Sequence, residues 1–168
     1  MSFISLEEIF ADLAERLRRQ GLRVERQDAA RPWGGFFVLA ENQAQLFADL
    51  YFDGLAVEKL RLAGGQLSPK VLVVAPHQRL SWQYHHRRAE IWQVVRGPVG
   101  VAISDDDDQP TEVKSYPPGE RVLLAQGQRH RLVGLADWGV VAEIWQHTDA
   151  VRPSDEDDIV RVQDDFGR

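Results

Sequence analysis

The chain has 168 residues, of which 43% are apolar and 27% charged; that suffices for one buried core and is short for two domains. It contains no cysteine, which excludes disulfides, thiolate catalysis and cysteine-bound zinc. A formal net charge of −6 without any basic stripe argues against nucleic acid or an anionic membrane as partner.

Along the chain, Ser5 and Glu8 form a capping-box pattern, and Leu6, Ile9, Phe10, Leu13 and Leu17 recur at helical spacing before Gly21. An amphipathic helix within an extension spanning residues 1–30 is predicted, with residues 31–168 forming the main domain. Met1 to Leu22 shows neither the basic start nor the unbroken apolar run of a signal peptide. No stretch approaches the roughly 20 apolar residues of a membrane span, so a cytoplasmic location is expected.

Arg31, Pro32, Trp33 and Gly34 begin a new unit, in which Pro32 and Gly34 fix a turn and Trp33 is expected in the core. The apolar run Phe36 to Ala40 follows, then a polar break at Glu41, Asn42 and Gln43. Residues 44–62 carry mixed signals and read as a short helix followed by an extended segment. From Lys70 the pattern changes to short strands around Val71, Trp92, Val99, Arg121, His130 and Val140, punctuated by Gly97-Pro98, Pro117-Pro118-Gly119 and Gly127. Strands so spaced predict a mostly β fold, an antiparallel barrel or jelly roll. The aspartates at 105–108 lack the spacing of an EF-hand and read as a solvated hairpin tip.

Chemistry concentrates between residues 80 and 97. On a strand, Gln83 and His85 share one face; after a tight turn through Arg87 and Arg88, Glu90 can return on the neighbouring strand toward the same interior. His130 closes a second block, Gly119-x5-Ala125-x-Gly127-x2-His130. Two imidazoles, a carboxylate and an amide suit one divalent metal ion: zinc first, with manganese, cobalt, nickel or iron as alternatives.

These blocks resemble the two cupin motifs, the first reading Gln83-x-His85-x4-Glu90-x6-Gly97, although Gln83 stands where His is usual and Ala125 where Pro is usual. Together with Arg31-Pro-Trp-Gly and the closing block Glu156 to Arg168, they resemble the cupin domain of type II mannose-6-phosphate isomerases over roughly residues 31 to 168. The chain shows no guanylyltransferase domain, to which that domain is normally fused, and it has Arg87 where the family usually has a third histidine.

The resemblance implies a single cupin barrel and a metal held by Gln83, His85, Glu90 and His130, with Gln83 preferred over Tyr84. It also implies interconversion of mannose-6-phosphate and fructose-6-phosphate. Isomerisation of an unphosphorylated aldose and non-catalytic sugar binding are the alternatives. Glu143, a carboxylate within the apolar strand Val140 to Trp145, is the candidate base, with a rim salt bridge as its plainer reading. Arg161 and Arg168 are candidate phosphate donors and could equally form tail salt bridges. Arg131 is weakened by alternation, which turns it away from the side of His130; Lys70 is weaker still, and Trp92 is expected in the core. Cupins are often dimers, so a homodimer is expected.

Overall fold

The computed structural model describes residues 4–62 and 64–167. Helix α1 (Leu6–Arg19) starts at Ser5, whose hydroxyl accepts from the Glu8 N–H while the Glu8 carboxylate accepts from the Ser5 N–H. The chain then enters strands β1 (Val24–Arg31) and β2 (Gly34–Leu39), so the segment expected to be a helical extension also supplies an edge strand. Gly34 has φ of +137°, and a Cβ there would lie 2.0 Å from the Val73 carbonyl oxygen, so only glycine allows β2 this close to its neighbour.

Helix α2 (Ala44–Tyr51) is the predicted short helix, but a second one, α3 (Glu58–Arg61), replaces the extended segment expected after it. Leu60 of α3 and the preceding Val57 are buried in the same cluster as Phe47 of α2. A helical turn lets them reach that surface where an extended segment would alternate away from it.

The remaining strands are β3 (Lys70–Val74), β4 (Trp82–Tyr84), β5 (Arg88–Arg96), β6 (Val99–Ser104), β7 (Lys114–Tyr116), β8 (Arg121–Leu124), β9 (Arg129–Gly134), β10 (Gly139–His147) and β11 (Val160–Gln163). They form two antiparallel sheets, β1-β2-β3-β10-β5-β8 and β11-β4-β9-β6-β7, in the predicted mostly β, jelly-roll architecture. No helix among the described residues is long and apolar enough to cross a membrane.

Two apolar layers result. Leu72, Val74, Trp92, Val94, Val141 and Leu132 pack together between the sheets. Val71, Val73, Ile91, Val140, Ala142 and Ile144, on the opposite faces of β3, β5 and β10, pack against α1, α2 and α3. Strand β10 is therefore covered on both sides, which explains its nearly unbroken apolar run. Period-two alternation then places Lys70, Glu90 and Glu143 on the inward faces of β3, β5 and β10, in line with apolar inward neighbours.

Candidate metal centre

Ligand atoms of His85, Glu90 and His130 all lie within 4.8 Å of one another, and the three side chains are buried. His85 follows the end of β4, His130 lies on β9, and Glu90 comes from β5 in the opposite sheet. The predicted tight turn through Arg87 and Arg88 is thus corrected: the bend is at His86 and Arg87, Arg88 already begins β5, and the connection crosses between sheets. Gln83 pairs in register with His130 and lines a cavity together with Glu90; its Oε1 accepts from Ser81 Oγ at 2.6 Å.

The imidazoles are held from behind. His85 Nδ1 is 2.6 Å from the Asp158 carbonyl oxygen, and His130 Nδ1 is 3.1 Å from that of Gln128. A carbonyl can only accept, so each Nδ1 carries a proton and each ring turns its Nε2 inward. There, His85 Nε2 lies 3.0 Å from Glu90 Oε1, and His130 Nε2 lies 3.5 Å from Glu90 Oε2 without a hydrogen-bond partner among the described residues. Buried acceptors converging on one point need a proton or a cation between them. The donor set therefore fits a divalent metal ion.

The closing segment builds much of this support. The Asp158 carboxylate accepts from the backbone N–H groups of His86 (2.9 Å) and Arg87 (3.0 Å) and from Ser154 Oγ (2.6 Å). Gly127, at φ +74°, donates its N–H to the His85 carbonyl at 2.9 Å, so the glycine of the second block fixes a ligand of the first.

Around the cluster runs a network of buried polar groups. Trp92 Nε1 donates to Glu143 Oε1 at 3.0 Å and to Glu90 Oε2 at 3.2 Å. Trp92 is thus a core aromatic whose N–H also joins the two carboxylates. Arg88, stacked 3.8 Å from the centroid of the Trp145 ring, donates to Glu90 Oε1 at 3.1 Å and to Ser154 Oγ at 2.9 Å. Burial alone would raise the Glu90 carboxyl, but the histidines and Arg88 hold it well below the ordinary carboxylate range. Burial, and next the Glu90 charge, push the Glu143 carboxyl up to about 8 against the pull of Lys70 and Arg88.

A cavity of about 290 Å³ opens onto this network, with Glu90, Glu143, Gln83 and Trp92 in its wall. Lys70 reaches it too, donating to Glu156 at 2.8 Å. Arg161 lines it from β11, while Arg168 lies outside the described residues. Arg131 faces away, donating to Gln109 Oε1 and the Gln163 carbonyl, in keeping with alternation along β9. Residues 44–62 do not line the cavity; they cover the outer face of the six-stranded sheet. Sequence reasoning passed over Arg26 and Arg31 as site residues, and it assigned Arg88 to a turn. A pair of basic residues between a ligand His and a ligand Glu was the available signal.

Curated relatives match over part of their length. The chain is 33% identical over 106 residues to mannose-1-phosphate guanylyltransferase ManC of Salmonella typhimurium, covering 63% of this chain and 20% of that one. It is 37% identical over 105 residues to the alginate biosynthesis protein AlgA of Pseudomonas aeruginosa, covering 62% and 20%. The chain thus spans about a fifth of the length of these relatives. Among solved structures, the capsular polysaccharide assembling protein CapF of Staphylococcus aureus superposes with a TM-score of 0.53 at 15% identity, over 83% of this chain and 34% of that one, a likeness of fold. The pattern of the mannose-6-phosphate isomerase C-terminal family matches residues 58–164, the segment that carries all four candidate ligands, and the chain belongs to that family.

Proposed function

We propose that the protein is a metal-dependent aldose–ketose isomerase acting on a sugar phosphate, with mannose-6-phosphate and fructose-6-phosphate the first pair to test. The observation that carries this reading is a second buried carboxylate, Glu143, which lines one cavity with Glu90 of the His85, Glu90 and His130 cluster. A site that only holds a metal has no need of it, and leaving it buried there is costly.

Gln83, His85, Glu90 and His130 would hold the ion, with zinc the leading choice. When bound, it would supply Lewis acidity toward substrate oxygens. The proton chemistry falls to the protein. Isomerisation moves one proton from C2 to C1 and another from O2 to O1, so atoms balance without a co-reactant. Glu143, a buried carboxyl that burial pushes up to about 8, is placed to accept the C2 proton and give it back. The Trp92 N–H fixes Glu143 Oε1 and keeps it in line with Glu90. Arg161 faces the cavity from β11 and is the candidate donor to the phosphoryl group.

The test is proton exchange at C2 followed by NMR in heavy water, with metal-reconstituted protein and mannose-6-phosphate. Exchange with formation of fructose-6-phosphate, abolished in Glu143→Gln, is expected. No exchange with zinc, manganese, cobalt, nickel or iron would sink the isomerase reading and leave sugar binding without turnover.

A further inference from the structure

The hairpin of β1 and β2 lies outside the family-matched residues 58–164, yet it lines the cavity through Arg26, Arg31, Trp33 and Phe36. Strand β1 is the edge of one sheet and β11, which carries Arg161, is the edge of the other. The two edges bring three arginines to the lining of one cavity in a protein whose net charge is −6.

Their donors are not used up by the fold. Arg26 and Arg161 are exposed and have no carboxylate partner among the described residues, whereas Arg88, Arg79 and Arg129 are each paired with one. Arg31 Nε lies 3.0 Å from Asp28 Oδ2 but is not aligned to donate to it, and it is buried without a hydrogen-bond partner among the described residues. The Trp33 indole N–H is likewise buried and unpartnered, in a side chain only 4% exposed. Phe36 lies under both β1 arginines, with its ring centroid 5.4 Å from the guanidinium carbon of Arg26 and 5.6 Å from that of Arg31. Glu156, which also lines the cavity, is compensated by Lys70 at 2.8 and 3.1 Å.

We propose that Arg26, Arg31 and Trp33 of the β1–β2 hairpin, with Arg161 of β11, form an anion subsite that takes the phosphoryl group of a phosphorylated sugar whose other end reaches Glu90 and Glu143. A tetrahedral dianion accepts in several directions at once, which matches forked guanidinium donors set beside an indole N–H. An unpartnered buried donor costs free energy until such an acceptor arrives. The subsite rests on the sugar-phosphate reading above and deepens it, since it names the residues that would recognise the phosphoryl group.

The experiment is a phosphorus NMR titration of mannose-6-phosphate and of inorganic phosphate with the full chain, beside a proton NMR titration of free mannose. Wild type, an Arg26→Ala/Arg161→Ala double variant and Trp33→Phe are compared, without added metal and with zinc. Both arginines are exposed, so the double variant should keep the wild-type Tm. The expected result is mannose-6-phosphate binding weakened about ten-fold or more in the double variant and a few-fold in Trp33→Phe, with mannose binding unchanged. Equal affinity of wild type and double variant for mannose-6-phosphate, or no binding of either phosphorylated probe to wild type, would overturn the subsite. Binding lost in the variants while wild type shows no turnover would leave the subsite standing and remove the isomerase. Turnover by wild type with KM unchanged in the double variant would do the reverse.

Discussion

The two ligand imidazoles owe their orientation to carbonyl oxygens that can only accept: Asp158 behind His85 and Gln128 behind His130. Fixing the proton on Nδ1 commits Nε2 to the centre, where Glu90 waits. His130→Ala removes one donor from this set, and zinc affinity measured by competition with a chromogenic chelator should fall about ten-fold or more. The rise in Tm that zinc gives wild type should shrink with it, since a ligand stabilises only in proportion to its binding. An unchanged affinity would place the ion elsewhere. Trp92 poses a different question, because its ring fills the core while its N–H serves two carboxylates. Trp92→Phe keeps most of the ring and removes the donor. A loss of about 1–3 kcal/mol in urea unfolding is expected, together with a fall in kcat. A variant as stable as wild type would show that the indole N–H does not hold the carboxylates together. The sequence marks Trp92 only as an apolar strand residue; its second role depends on Glu143, 51 residues away on another strand, and no local pattern records that pairing.

At the scale of elements, the strands from Lys70 onward are legible because alternation and turn residues agree. Residues 44–62 are not, since their leucines fit either period and only packing against the outer sheet face selects α2 and α3. The candidate ligands were readable from spacing, but which sheet each belongs to was not. The β4 to β5 connection crosses between sheets, a long-range outcome that a tight turn does not disclose. The closing block illustrates a further gap: its resemblance to the family does not disclose that it supports His85 and carries β11. Its end is fastened by Arg79, which donates to both Asp165 oxygens at 2.6 and 3.0 Å. Those bonds hold the Asp165 carboxyl below its ordinary 3.8. A carboxyl lowered in the folded state adds stability that is complete above its unfolded value and vanishes as pH falls through the lower folded one. The pair is partly exposed, so the effect is local and reduced by salt. Hydrogen exchange of the amides in residues 160–163 should accelerate relative to the core strands on acidification below pH 3.8, beyond the intrinsic pH effect. Asp165→Asn should show that faster exchange already at neutral pH. Equal protection in wild type and variant would mean that Arg79 does not fasten the segment.

Over the whole molecule, the question is whether the helical layer and the β sandwich are one folding unit. Strand β10 faces both, with Val140, Ala142 and Ile144 toward the helices and Val141 toward the facing sheet, so neither layer can loosen without exposing part of it. Helix α1 enters this arrangement through Phe10, only 6% exposed and stacked on Phe37 at a centroid distance of 4.9 Å. Truncating a buried phenylalanine costs about 3–5 kcal/mol through lost burial and the cavity it leaves. For a domain of this size that corresponds to a Tm lowered by roughly 6–20 °C. If the layers are coupled, Phe10→Ala should shift one transition, with far-ultraviolet dichroism and tryptophan fluorescence moving together. The fluorescence samples both sides of β10: Trp138 belongs to the helical layer, where its indole donates to the Ile4 carbonyl at 2.8 Å, and Trp92 belongs to the core between the sheets. Two separated transitions, the lower one moved and the upper one unchanged, would instead make residues 1–30 a unit that docks on an independently stable β domain. Coupling has a consequence for the cavity, because β1 follows α1 and carries Arg26 and Arg31. Loosening α1 would free the strand that supplies those donors. Phe10→Ala should therefore weaken mannose-6-phosphate binding well below its melting temperature, while zinc affinity, held by β4, β5 and β9, stays within about two-fold of wild type.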